Sequence, residues 1–398
     1  MKKQRTKNLT LIYTTAIENE HFGKDVFLVP YYLGKIFNLN VNIVYASSKT
    51  NKNFTSRIRN VTLIPKKNVN SNKILLGIYD FFYILFNAKK IDFFMRFFFS
   101  NTTAITGFMY KKLNKNGILY VKSDGKPDEW PLLGYHNSLH NRKNSFVKNI
   151  KKYIYKLFLE NIDLITVETE SGYKSFLGNT LLSVNLSNEI QLMYNGFDKN
   201  LFDQYSMRLK NYSEKENIIL VVGRLGTFQK NTEMILETAE KLFFHNWKIV
   251  LIGPIEEKEQ NFQAKIDAFY YSNPHLQGIV IFTGSIYDKK KLWAWYNNAK
   301  IFVLTSLYES FGIVFSEALF FRNYIVSTDV GAAKESIRMG YGKIIPQNDT
   351  HYLSNALQNI IDDENYLSEM YDSVDWNIHD ISWERYIREA TKNLQGRI

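Results

Sequence analysis

Two glutamates eight residues apart, Glu309 and Glu317, bracket the stretch of this 398-residue chain best suited to chemistry. Just ahead lies Ile301-Phe302-Val303-Leu304, a short apolar run of the kind that forms a buried parallel strand. The chain breaks at Ser306-Leu307-Tyr308-Glu309-Ser310-Phe311-Gly312, then resumes with helical spacing, Val314, Ala318 and Phe321 falling on one face. That order predicts Glu309 in a loop at the carboxyl end of a strand, where open α/β sheets bind ligands. Glu317 is expected about two turns into the helix. Between them the amides of Phe311, Gly312, Ile313 and Val314 open a helix, an anion site that needs no cationic side chain. Gly312 lets the backbone come close to such an anion. Two carboxylates flanking a phosphate-sized nest suit a ligand with hydroxyls on both sides of a phosphate, and a nucleotide-sugar has that shape. The competing structural account is a buried helix with two satisfied surface glutamates.

A second constellation lies upstream. Ile218-Ile219-Leu220-Val221-Val222 is an uninterrupted apolar strand that ends in Gly223-Arg224-Leu225, followed by Lys230-Asn231 and a helix with Met234, Ile235, Thr238, Ala239 and Leu242 on one face. Gly223 clears space at the strand end, and Arg224 presents a planar donor fork to phosphate oxygens. Lys230 adds a second positive charge. A diphosphate leaving group gains charge as its bond to a sugar breaks, so fixed cations there lower the barrier electrostatically.

Length and composition bound these readings. At 398 residues the chain divides most naturally into two domains. Zero cysteines exclude disulfides, thiolate metal sites and cysteine nucleophiles together, and fit a reducing compartment. The basic start, MKKQRTKNLTLIYTTA, is followed by too short an apolar run for a signal peptide and reads as a first strand. The most lipid-like region, 74–99, is interrupted by Asp80, Lys89, Lys90, Asp92 and Arg96, and no run approaches the roughly 20 apolar residues that span a bilayer. The net charge of +11 is divided unevenly: +15 over residues 1–200 and −4 over 201–398. A basic half suggests an anionic partner, a membrane surface or nucleic acid. No recognition helix, zinc-finger spacing or RNA-binding aromatic motif is present, so nucleic acid is not expected.

Along the chain, Leu9–Tyr13 reads as strand one, with a loop over 14–24. Gly23-Lys24-Asp25 then opens a helix carrying Val26, Val29, Pro30, Leu33 and Ile36. Val41–Tyr45, Val61–Ile64, Gly117–Val121 and Leu164–Val167 are further strands. Residues 74–113 hold a dense aromatic run. Buried helices are the plainer account of it; a basic-aromatic surface in a membrane interface is the sharper one. Asp124, at a strand end, is placed to accept a hydrogen bond from a substrate hydroxyl, or to form a turn. His136 and His140, four apart, lack a third ligand at suitable spacing, and Asp362-Asp363-Glu364 reads as a solvated helix end. No metal site is expected.

The E-x7-E spacing, the strand that follows it and Thr328-Asp329-Val330-Gly331, together with Gly223-Arg224-Leu225 and Lys230-Asn231, resemble the retaining glycosyltransferases of family 4. The resemblance is strong from about 218 to 361 and weaker but ordered from 9 to 200. It implies an α/β GT-B fold: two Rossmann-like domains, at 1–200 and 201–381, whose parallel sheets face across a cleft, with a closing helix over 382–398 packing back on the first. It also implies a retaining, metal-independent hexosyltransferase without cofactor, acting on a nucleotide-sugar donor and a glycan or lipid-linked acceptor in surface polysaccharide or glycoconjugate synthesis. Arg224, Lys230 and Glu309 would be its catalytic residues. Gly23, Gly223, Gly253, Ser310, Phe311, Gly312, Ile313, Val314 and Glu317 would bind the donor, with Asp124 on the acceptor side. Glu317 would hold the ribose and Glu309 the transferred sugar. A cytoplasmic place follows, peripheral on the inner face of the plasma membrane through the basic first domain. The chain departs from the family pattern in the missing second glycine near Gly23, in Ser123-Asp124 where a histidine is common, in Ala332-Ala333 where a second glycine is common, and in Asn323-Tyr324 where Gly-x-Pro is usual. Two alternatives are carried: a non-catalytic sugar-nucleotide or glycan-binding partner of another transferase, and a GT-B sugar-nucleotide epimerase.

Overall fold

The computed structural model of the chain describes residues 5–48, 51, 53–66, 72–123, 145–177, 184–256, 261–376 and 380–397. The chain divides into two compact units, 1–195 with 383–398, and 196–382.

The sheet of the first unit comprises β1 (Asn8–Ala16), β2 (Asn40–Ala46), β3 (Arg57–Ile58), β4 (Val61–Lys66), β5 (Phe93–Phe97), β6 (Ile118–Ser123), β7 (Leu164–Val167) and β8 (Ile190–Leu192), in the order β3-β4-β2-β1-β5-β6-β7-β8. Every pairing is parallel except that of the two-residue β3 with β4. Its helices include α1 (Asp25–Phe37), α2 (Lys73–Asn87), α3 (Asn101–Leu113) and α4 (Ser145–Leu159). The closing helix, Trp383–Ala390, belongs to this unit and packs on α1, with Lys35 and Glu384 3.5 Å apart. A short 3-10 turn, Lys392–Leu394, follows it.

Two sequence expectations change here. The loop expected over 14–24 is shorter, because β1 runs on to Ala16 and Asn19–Gly23 forms a 3-10 turn ahead of α1. The aromatic run expected as buried helices splits in two. Its second half, Phe93-Phe94-Met95-Arg96-Phe97, is a strand at the centre of the sheet and wholly buried. An apolar run covered on both faces carries no period to separate strand from helix. Its first half is a helix, but one with an apolar face left open.

The second unit repeats the same winding. β9 (Glu216–Val222), β10 (Lys248–Ile252), β11 (Val280–Gly284), β12 (Ala299–Leu304), β13 (Tyr324–Thr328) and β14 (Gly342–Ile345) pair throughout in parallel, in the order β11-β10-β9-β12-β13-β14. The inner strands read as near-continuous apolar runs because helices cover both faces, and Ile219, Leu220, Ile249, Val250, Phe302 and Val303 are all buried. Two helices flank β12 in sequence: α5 (Lys289–Asn298) before it and α6 (Ile313–Phe320) after it. Lys199–Gln204 is a short helix of this unit, anchored by the ring of Phe202 against Phe197 and Trp293.

Candidate functional site

In the second unit the chain leaves β9 to one side of the sheet and β12 to the other. The strand order therefore reverses between these neighbours, and the crevice at their carboxyl ends is the switch point where doubly wound sheets bind ligands. Gly223 and Arg224 follow β9; the loop 305–312 follows β12. The two connections are knit together. Leu307 N donates to Gln229 O at 2.8 Å, and Thr305 Oγ1 donates to the carbonyls of Lys230 and Asn231 at 3.1 and 2.9 Å.

Side chains continue this link. Lys230 Nζ forms an ion pair with Glu309 Oε1, which also accepts from Ser306 Oγ at 2.7 Å. Arg224 Nη2 donates to Gln229 Oε1 at 2.8 Å, and Gln229 Nε2 donates to the carbonyl of Tyr308 at 2.9 Å. Lys230 and Glu309 side chains keep 14% and 9% of their surface, and Arg224 is exposed. Both cations thus stand at the rim, held by groups that an incoming anion can replace. Next to them Gly312, at φ 83°, forms the N-cap of α6 and contributes no capping side chain. A Cβ there would lie 2.8 Å from the ring of Phe315. Ile313 and Val314 form the first turn of α6, Phe311 is buried beneath it, and Ser310 is exposed just before it.

Glycine is required at two contacts around this crevice. Gly253, at φ 151°, would place a Cβ 1.7 Å from Gly223 O, so the ends of β9 and β10 meet backbone to backbone. Gly331, at φ 52°, would place one 2.3 Å from Phe311 O and 3.0 Å from Glu309 Cβ. The chain after β13 therefore presses on the loop that carries Glu309, and Ala332 N donates to Phe311 O at 2.9 Å.

Glu317 is the fifth residue of α6, just over one turn in, because the segment from Glu309 to Gly312 is not helical. This corrects the expectation of two turns. Its carboxylate is buried, and Oε1 accepts from Lys289 Nζ at 2.6 Å and from the Trp293 indole at 3.0 Å, both on α5. Two donors on one oxygen fix the carboxylate's orientation, and the Lys289 ammonium balances its charge.

The structure thus joins Arg224, Lys230 and Glu309 in one network, with Gly223 and the α6 N-terminus beside it. Glu317 forms a second polar centre on the same helix. Gly23 belongs to the first unit, at the end of the turn before α1. Asp124 lies outside the described residues, as do His136 and His140. Among the described residues no group of three or more His, Cys, Asp or Glu side chains is arranged to hold a metal ion. Sequence reasoning missed Gln229, Ser306, Lys289 and Trp293. Lys289 opens a run of three lysines that reads as a solvated helix start, and Gln229 lies one residue before a recognised lysine without a pattern of its own.

Comparison with known proteins places the family match on this unit. Residues 206–374 match the family described as glycosyl transferases group 1. Over 161 residues the chain is 30% identical to an uncharacterized glycosyltransferase of Methanocaldococcus jannaschii, covering 38% of this chain and 39% of that one. Over 178 residues it is 25% identical to the amylovoran biosynthesis glycosyltransferase AmsD of Erwinia amylovora, covering 45% of this chain and 44% of the relative. Each match spans less than half of the relative's own length. Among solved structures, Anabaena HepE in complex with UDP superposes with a TM-score of 0.70 at 13% identity, covering 98% of this chain and 100% of that one. The fold is GT-B.

Proposed function

We propose that this chain is a retaining glycosyltransferase that moves a hexose-type sugar from a nucleotide-sugar, with a uridine diphosphate donor as the first candidate, to a glycan or lipid-linked glycan in surface polysaccharide synthesis. One observation carries the proposal: the Arg224–Gln229 and Lys230–Glu309 network sits at the β9/β12 switch point beside the uncapped start of α6. In this account the diphosphate lies against the amides of Phe311 to Val314, and Arg224 and Lys230 turn from their protein partners to its oxygens. As the bond between the sugar's anomeric carbon and the phosphate oxygen breaks, that oxygen takes the electron pair, and its charge meets two cations and a helix N-terminus. Glu309, released from Lys230, accepts hydrogen bonds from sugar hydroxyls, and Glu317 accepts them from the ribose. The acceptor hydroxyl attacks from the face the phosphate leaves, and its proton passes to that phosphate oxygen, so configuration is retained without a separate base. The fixed cations take the part a divalent metal plays in other transferases. The support from relatives lies in the group 1 match and in a relative named for amylovoran biosynthesis. The basic first unit is assigned the acceptor, at an anionic membrane surface on the cytoplasmic side.

The test is nucleoside diphosphate release from UDP-, GDP- and ADP-hexoses in EDTA at high enzyme concentration. Release from one donor class, cut roughly a hundredfold or more by Lys230→Ala, is the expected result. No release from any donor, or equal release by the variant, would contradict the proposal.

A further inference from the structure

Beyond Lys73 at its first position, the helix α2 carries one charge, Asp80, among apolar residues. A lone charge on an apolar helix ordinarily marks the face turned to water. Here it marks the opposite one. Asp80 is 1% exposed and is held by Lys66 at 2.5 Å and Arg96 at 3.0 Å, both fully buried. Lys66 Nζ and Arg96 Nη1 in turn donate to the carbonyls of Tyr13 and Ile12, each at 3.0 Å. These bonds fix the rotation of α2 about its own axis. The face they leave outward bears Ile74, Ile78, Phe82 and Phe86 along successive turns, with Phe81 and Leu85 beside them. Ile74 is 74% exposed and Phe86 73%. The Phe82 and Phe86 rings stack with centroids 6.2 Å apart.

The neighbouring helices are basic. α3 packs on α2 where Gly77 meets Thr102, and α4 packs on α3. Together α2, α3 and α4 contain seven lysines and one acid, the buried Asp80. Lys73 stands at one end of α2 and Lys89 and Lys90 just beyond the other, all exposed, while α3 exposes Ile105 and Lys112. At 15 residues α2 is too short to span a bilayer, which takes roughly 20, and no helix among the described residues is long and apolar enough to do so.

We propose that α2 is an interfacial helix: its outward face lies at the boundary between headgroups and acyl chains of an anionic bilayer, and the lysines at its ends contact lipid phosphates. Two features favour lipid over a protein partner. The six outward side chains include no hydrogen-bonding group to fix register against a protein surface, and a fluid apolar phase requires none. A second copy of this chain would bring lysine-rich helices against lysine-rich helices. The proposal deepens the acceptor side of the sugar-transfer reading, and its test uses neither donor nor acceptor, so either can fail alone.

The full chain is sedimented with phosphatidylglycerol-rich vesicles and with pure phosphatidylcholine vesicles, at low and high salt. Binding to the anionic vesicles that weakens with salt is expected. Phe82→Glu/Phe86→Glu should weaken it by roughly tenfold or more, whereas Phe243→Glu, at an exposed position of the second unit, should leave it unchanged. Melting is read alongside, and Phe86→Ser replaces the double variant if that one loses stability. Equal binding by the α2 variant, or no binding by the parent chain at low salt, overturns the proposal. So does a dimer that the α2 variant abolishes in a chain that ignores vesicles.

Discussion

At the carboxyl ends of its strands the second unit leaves charged groups near the surface with exchangeable partners, whereas the first unit closes them off. Arg224, Lys230 and Glu309 face the rim of the β9/β12 crevice. In the first unit Lys122, at the end of β6, is 1% exposed between Asp25 at 2.7 Å and Glu168 at 3.0 Å, and Asn195 donates to Glu168 at 2.9 Å. Burial pushes the Glu168 carboxyl up from the usual range, while Lys122 pulls it down. Lys66, Asp80 and Arg96 are closed in the same way. Two sheets of one winding therefore use charge differently. Where every partner is protein and water is excluded, an ion cluster fastens elements together; where the partners stand at the rim, the same residue types can serve a ligand.

Substitutions in either unit test this difference. The largest effect is expected in the first unit, where Asp80→Ala strands two cations in the core. Urea denaturation should show a loss of about 3–5 kcal/mol, and a loss near zero would mean that the cluster fastens nothing. In the second unit Lys230→Ala should lower turnover by roughly 10²–10³ while the urea midpoint moves far less than for Asp80→Ala. A fall in stability matching the fall in turnover would erase the distinction. Glu317→Ala should weaken donor binding by about tenfold, read by titration, and unaltered binding would remove the ribose assignment.

The smallest effect sharpens the contrast within the second unit. Lys215 is buried and donates to the carbonyls of Asn297, Ala299 and Phe321, and burial pushes its ammonium down to about 7. Below that pH the group is charged in both folded and unfolded chains, and the cost of burying the charge is present in full. As pH rises from about 7 towards the ordinary lysine value, the folded chain releases a proton that the unfolded chain keeps, so stability rises. The slope should be on the order of 1 kcal/mol per pH unit above that of Lys215→Met. Equal slopes for the two proteins would show that Lys215 does not titrate there.

How much of this was legible in sequence follows the same division. Gly223, Arg224, Lys230, Glu309 and the α6 N-terminus were visible because short apolar strands ending in glycine turns put their chemistry at fixed local spacings. Ser306, Gln229 and Lys289 were not, because their roles arise from contacts with Glu309 and Glu317 that local spacing does not encode. In the first unit β5 hid inside an aromatic run with no period. In sequence Asp80 is only an interruption of an apolar region, and it is Lys66 and Arg96, brought in from β4 and β5, that reverse the side a charge ordinarily takes by holding it inward. The outward aromatic face of α2 follows from that reversal.

We infer that the second unit binds a nucleoside diphosphate without metal through Arg224, Lys230 and the start of α6. Calorimetric titration of UDP, GDP and ADP in EDTA tests it most directly, using the parent chain and Arg224→Ala/Lys230→Ala. One nucleotide should bind the parent, and the double variant should bind it roughly a hundredfold more weakly. Equal affinity for parent and variant, or heat from none of the three, would contradict the account.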